Sequence, residues 1–134
     1  MSGESAESIP DDAVLLRRIP MTQFPSGQIA YANFVPSPRD TDGLSLFLQS
    51  VLSPESLVAA APKVGAGVAA ATAGEIRRLG LSLVLSEEHG GPGHCHIPEI
   101  RYSVRSELPV KALIAALTEL FARRIVVRPG LPDQ

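Results

Sequence analysis

Tryptophan is missing from this chain, and two Tyr and four Phe are its only aromatic residues. The core must therefore be built from aliphatic side chains, and a platform on which bases stack is not expected. Cysteine occurs once, as Cys95, so no internal disulfide can form and a disulfide-stapled secreted scaffold is excluded. No run approaches the roughly 20 apolar residues of a membrane-spanning helix. The acidic, polar opening lacks the basic and apolar regions of a signal peptide, so no membrane association is expected and the cytoplasm is the expected compartment. A surplus of either charge is lacking too. Twelve basic against fourteen acidic residues leave a formal net charge of −2, which makes nucleic acid an unlikely partner.

What is present fits one domain. The chain has 134 residues, 45% of them apolar and 19% charged, which is enough to bury a single core. Residues 1–8 are small and polar and read as a disordered tail, 9–128 as a single α+β domain, and 129–134 as a loose C-terminus. Glu4, Glu7, Asp11 and Asp12 open the chain, whereas Arg101, Arg105, Lys111, Arg123, Arg124 and Arg128 crowd its last third. Lys63 and Lys111 are the only lysines, and Arg favours planar, bidentate contact with carboxylate or phosphate.

The run Val14–Ile19 lies between Pro10 and Pro20 and predicts a strand, on which Arg17 and Arg18 point to opposite faces. From Pro20 to Asp42, prolines and Gly27 cut the chain into short extended pieces, one of them over 29–34. Residues 44–52 form an apolar run read as a short helix. Ser53-Pro54-Glu55 predicts a helix start, Thr72 and Glu75 a capping box for a helix over 73–79, and Gly80 its left-handed stop. The Ala-rich stretch 64–73 carries no further assignment. Strands are expected over 81–85, His94–Ile97, 100–104 and Ile125–Val127, and a turn or loop over 87–93. Val110, Leu113, Ile114, Leu117, Leu120 and Phe121 recur at helical spacing, with Ser106 as the expected cap. The expected architecture is α+β: a small, mainly antiparallel sheet with two to four short helices packed on it.

The most pointed chemistry lies in Glu88-His89-Gly90-Gly91-Pro92-Gly93-His94-Cys95-His96, which holds all three histidines. On a strand His94 and His96 project from one face about 7 Å apart, a spacing at which two imidazoles can share a zinc ion, with His89, Glu88 or a distant carboxylate completing the set. A second Cys pair is lacking, so cofactor-free use of the two His in acid–base work stands beside the zinc reading. Cys95 faces away from them as a small buried hydrophobe. The Gly-rich segment matches no phosphate-binding motif and reads as a hairpin tip. A second set, Asp11, Asp12, Arg17, Arg18 and Ser45 with Glu99 as acid, loosely resembles the residues that hold a nicotinamide dinucleotide in ADP-ribosyl-transferring folds; its alternative is a solvated Arg pair with acidic partners.

The segment from Ile9-Pro10-Asp11-Asp12-Ala13 to Arg17-Arg18-Ile19 also resembles the opening of a group of small uncharacterised bacterial proteins. Leu44-Ser45, and Gly93-His94 after Leu79-Gly80-Leu81, are similar to later parts of that group. The resemblance implies no activity; it singles out Arg17, Ser45 and His94.

Two functions follow as expectations. The first is a non-enzymatic accessory or protein-binding domain, using an exposed apolar patch or a free strand edge at 29–34 or 94–104, and self-associating as a homodimer or meeting a protein partner. The second is a small hydrolase or transferase using His94 and His96 on a phosphorylated or nucleotide substrate drawn by Arg17, Arg101 or Arg105. The enzyme requires a pocket where the histidines converge with an Arg or a carboxylate.

Overall fold

A computed structural model describes residues 9–130. The tail expected at 1–8 and the last part of the loose C-terminus lie outside the described residues. Six strands, β1 (Val14–Ile19), β2 (Leu44–Leu48), β3 (Gly67–Thr72), β4 (Val84–Leu85), β5 (His94–Ile97) and β6 (Ile125–Val127), form one sheet in the order β4-β5-β2-β1-β3-β6. Every pairing is antiparallel. With helices α1 (Pro54–Ala59), α2 (Ala73–Arg77), α3 (Glu87–Gly90) and α4 (Leu108–Ala122), the fold is α+β as expected.

Side-chain alternation gives the sheet two different faces. Leu15 and Ile19 of β1, Leu44 and Leu46 of β2, Ala69 and Ala71 of β3, and Cys95 and Ile97 of β5 share one face. They pack with Ile76 of α2 and with Ile114, Leu117 and Phe121 of α4 in the main core. α4 forms because its apolar residues repeat at helical spacing, and Pro109 is tolerated in its first turn. Its expected cap at Ser106 is not used; the helix begins after Glu107 without a side-chain cap. On the opposite face α1 packs over β1 and β3, where Leu57 joins Leu16, Val68 and Ala70 in a second cluster. α1 starts where Ser53 accepts from the Ser56 amide, and α2 where Thr72 and Glu75 close the predicted capping box.

Several expectations are corrected. Residues 44–48 form a strand, not a helix, because they ladder with β1 on one side and β5 on the other. The Ala-rich stretch supplies β3, whose Cα atoms pair with all six residues of β1. Buried on both faces, β3 shows none of the polar alternation that marks a half-buried strand. Residues 29–34 form no strand: they end in a 3₁₀ turn at Tyr31–Phe34. Residues 100–104 likewise hold a 3₁₀ turn, at Tyr102–Val104. His94–Ile97 is a strand but not an edge, since β4 and β2 flank it. The expected strand over 81–85 shrinks to the two residues of β4, and the expected loop over 87–93 begins with the single turn of α3. Among the described residues, no helix is long and apolar enough to cross a membrane.

Candidate functional site

The face that α1 covers over β1 and β3 continues across β2 and β5, and there its residues change character. Ser45 is the register partner of His96 and Phe47 that of His94, so these four side chains stand on one face. The loop-rich stretch between β1 and β2 and the start of α3 wall them in. The result is a cavity of about 450 Å³ that includes Arg17, Asn33, Asp40, Ser45, Ser86, His94 and His96 in its lining.

Arg17 occupies the gap where β1 and β2 part. The two strands are in register at Leu15–Leu48 and Leu16–Phe47. Beyond that point the Arg17 side chain takes over, donating from Nη1 to the Ser45 carbonyl at 2.8 Å, from Nε to Asn33 Oδ1 at 3.1 Å, and from Nη2 to the Asn33 carbonyl. Asn33, 1% exposed, donates in turn to the Arg18 carbonyl at 3.2 Å and to Gln23 Oε1 at 2.7 Å. Arg17 is half-buried as a residue. Burial of the guanidinium draws its pKa down to about 10, with Arg18 adding to the effect and Asp40 opposing it, so it stays charged at neutral pH.

A second set of bonds crosses the face. The Ser45 hydroxyl lies 2.9 Å from His94 Nε2 and 3.4 Å from Asp40 Oδ1. His94 Nδ1 lies 2.8 Å from Ser86 Oγ, and the same hydroxyl lies 3.0 Å from His96 Nδ1. Ser86 stands at the N-cap position of α3 yet makes no side-chain cap bond; its hydroxyl meets the two imidazoles instead. Phe47 meets the His94 ring edge-on, with centroids 5.4 Å apart.

Two glycines set the geometry. A Cβ on Gly90 would lie 2.1 Å from His94 Cγ, so α3 can rest against the imidazole only through a residue without a side chain. Gly43, with φ of 153°, brings the loop before β2 so close to β5 that a Cβ would lie 2.3 Å from the Ile97 carbonyl oxygen. Asp40 is held by the Ser37 amide at 2.7 Å, which fixes its carboxylate beside Ser45. Burial lowers the pKa of His96, with His94 and His89 adding to the effect and Asp42 opposing it.

The structure thus brings together Arg17, Ser45, His94 and His96. It places His89, exposed, on the wall of the same cavity. It does not join the three histidines in a metal set: among the described residues no group of three or more His, Cys, Asp or Glu is arranged to hold an ion. His94 and His96 share a serine hydroxyl instead. The dinucleotide set is dispersed. Asp11 pairs with Arg77 at 2.6 Å, Glu99 accepts from the Ser82 amide and hydroxyl, and Arg18 reaches the Leu57 carbonyl on the covered part of the face. Arg101 and Arg105 bond the Pro98 and Tyr102 carbonyls, away from the cavity, whose exposed cation is Arg39. Cys95 is buried on the opposite face, and desolvation, helped by Glu87, pushes its thiol up to about 12.

Asn33, Asp40 and Ser86 were not foreseen. Ser86 resembles an ordinary helix cap in sequence, and Asn33 and Asp40 sit in a Pro-rich stretch where local pattern carries no direction.

A nucleophile within hydrogen-bond reach of a base, with the base oriented by a third group, is the arrangement that activates a hydroxyl. Of the two acceptors beside Ser45, the imidazole is the nearer. No protein-family model, no curated protein and no solved structure matches the chain.

Proposed function

We propose that the cavity is the active site of a small hydrolase or transferase acting on a phosphorylated substrate, with Ser45 as nucleophile and His94 as its base. The observation that carries this reading is the 2.9 Å approach of the Ser45 hydroxyl to His94 Nε2 inside a cavity also lined by Arg17 and Arg39. Ser45 Oγ attacks phosphorus with a lone pair while its proton passes to His94 Nε2. The leaving oxygen departs with its bonding pair and takes a proton from the site, and water or an acceptor alcohol then displaces Ser45 from phosphorus. Arg39, exposed at the cavity, supplies the planar donors that suit a phosphate, while the engaged Arg17 contributes its positive field. Among the described residues, the strand edges expected for a protein-binding domain are absent at 29–34 and paired at His94–Ile97, so such a surface would lie elsewhere, as at the outer strands β4 and β6.

The test is turnover of p-nitrophenyl phosphate and bis-p-nitrophenyl phosphate by the purified chain. Nitrophenolate release that falls to background in both Ser45→Ala and His94→Gln supports the assignment. Release that survives Ser45→Ala, or no release from either compound, contradicts it.

A further inference from the structure

Ser86 has one hydroxyl proton and two imidazole neighbours. Its Oγ lies 2.8 Å from His94 Nδ1 and 3.0 Å from His96 Nδ1. At the far side of His94, Nε2 meets Ser45 Oγ at 2.9 Å, and Ser45 Oγ lies 3.4 Å from Asp40 Oδ1. Five side chains therefore form one row from a carboxylate to a second histidine, with side contacts from His94 Nδ1 to the Ser86 carbonyl at 3.3 Å and from Ser86 Oγ to the His94 carbonyl at 3.5 Å. We propose that this row is a proton wire, and that His96 is its terminal acceptor and the acid that returns the proton to the leaving group. The inference rests on the assignment of Ser45 as nucleophile.

Two arrangements of hydrogens run from Ser45 to His96, and they differ at Asp40, whose contact with Ser45 carries a hydrogen in the second alone. In the first, Ser45 donates to His94 Nε2, His94 Nδ1–H donates to Ser86 Oγ, and Ser86 donates to His96 Nδ1, leaving His96 protonated on Nε2. In the second, every bond is reversed: His96 Nδ1–H donates to Ser86, Ser86 to His94 Nδ1, His94 Nε2–H to Ser45, and Ser45 to Asp40. In both, the two imidazoles carry their protons on opposite nitrogens. When Ser45 Oγ bonds the electrophile from the first arrangement, its proton moves to His94 Nε2, the Nδ1 proton moves to Ser86, and the Ser86 proton moves to His96 Nδ1. His94 and Ser86 end neutral and His96 ends as imidazolium, lining the cavity. The leaving oxygen keeps its bonding pair and takes one proton from His96.

The groups around His96 suit this role. Asp42 favours its cationic form, His94 and His89 disfavour it, and Glu87 and Glu88 line the adjoining hollow with it. Desolvation holds it neutral at rest and makes the imidazolium, once formed, the readier to give its proton to the leaving oxygen.

The test begins with long-range ¹H–¹⁵N spectra of the wild-type chain, which need no substrate and no variant. The wire predicts that His94 and His96 carry protons on opposite ring nitrogens; the same nitrogen on both overturns it. A fluorophosphonate probe then reads the rate of Ser45 modification. Ser86→Ala is expected to slow it about tenfold and Ser86→Thr, which keeps the hydroxyl, to restore it. A Ser86→Ala rate equal to wild type overturns the wire and leaves Ser45 and His94 in place. A wild-type chain that the probe does not modify at Ser45 overturns both.

Discussion

One face of the sheet holds two neighbouring regions built from the same alternation and opposite chemistry. Over β1 and β3 it carries Leu16, Val68 and Ala70, and α1 covers them with Leu57. Over β2 and β5 it carries Ser45, His94 and His96, with the single turn of α3 against β5. Where a helix covers the face, apolar side chains gain from leaving water. Where loops wall it, polar side chains remain, and they satisfy one another: among the described residues no buried side-chain nitrogen or oxygen lacks a partner. Stability and candidate chemistry are thus separated along the sheet, and Arg17 stands at the seam, bonded to Asn33 and to the backbone of Ser45.

That division makes graded predictions. The largest effect belongs to the covered region: Leu57→Ala, at a residue 1% exposed, is expected to cost about 2–5 kcal/mol in urea unfolding. Any surviving folded protein should keep Ser45 as reactive as in wild type. Next comes the seam. Arg17→Met strips the partner from the Ser45 carbonyl and from both Asn33 oxygens, at an expected cost of about 2–3 kcal/mol, and unlike Leu57→Ala it should abolish Ser45 reactivity. Gly90→Ala drives a Cβ into the His94 ring, costing about 1–2 kcal/mol and displacing the imidazole, which a changed His94 ring resonance would report.

A smaller effect lies at α2, outside both regions. The Arg124 guanidinium, bonded to Glu75 at 3.0 and 3.2 Å, together with the Thr72 amide, holds the Glu75 carboxyl at about 2, below its ordinary 4.5. A depressed carboxyl stabilises the fold above its unfolded pKa, so this contribution is present at neutral pH and is lost as pH falls from 4.5 towards 2. Glu75→Ala should cost about 1 kcal/mol at pH 7 and flatten the acid limb of the stability curve. Ser45→Ala, in the polar region, is expected to change stability by less than about 0.5 kcal/mol.

Much of this was legible wherever local chemistry is self-sufficient. The capping box at Thr72 and Glu75, the apolar stripe of α4 and the proline-bounded β1 each carry their own reason to form. The period of a strand also placed His94 and His96 on one face and Cys95 on the other, whereas Arg17 and Arg18, expected on opposite faces, both line a hollow beside Ser45 and His94, which Arg17 reaches through the gap next to β2. What failed was pattern without contrast. Residues 44–52 are apolar over a length that suits helix or strand, and β3 is a run of small residues whose strand state comes from its neighbours. Asn33, Asp40 and Ser86 reach the cavity through long-range packing, and Arg39 replaced the two arginines expected from the last third of the chain.

The central claim is that His94 activates Ser45, and its most direct measurement is the site and rate of fluorophosphonate modification, mapped by peptide mass spectrometry. Modification confined to Ser45 and slowed at least about a hundredfold in His94→Gln is the predicted result. Modification elsewhere, or at Ser45 with a rate indifferent to His94, would contradict it.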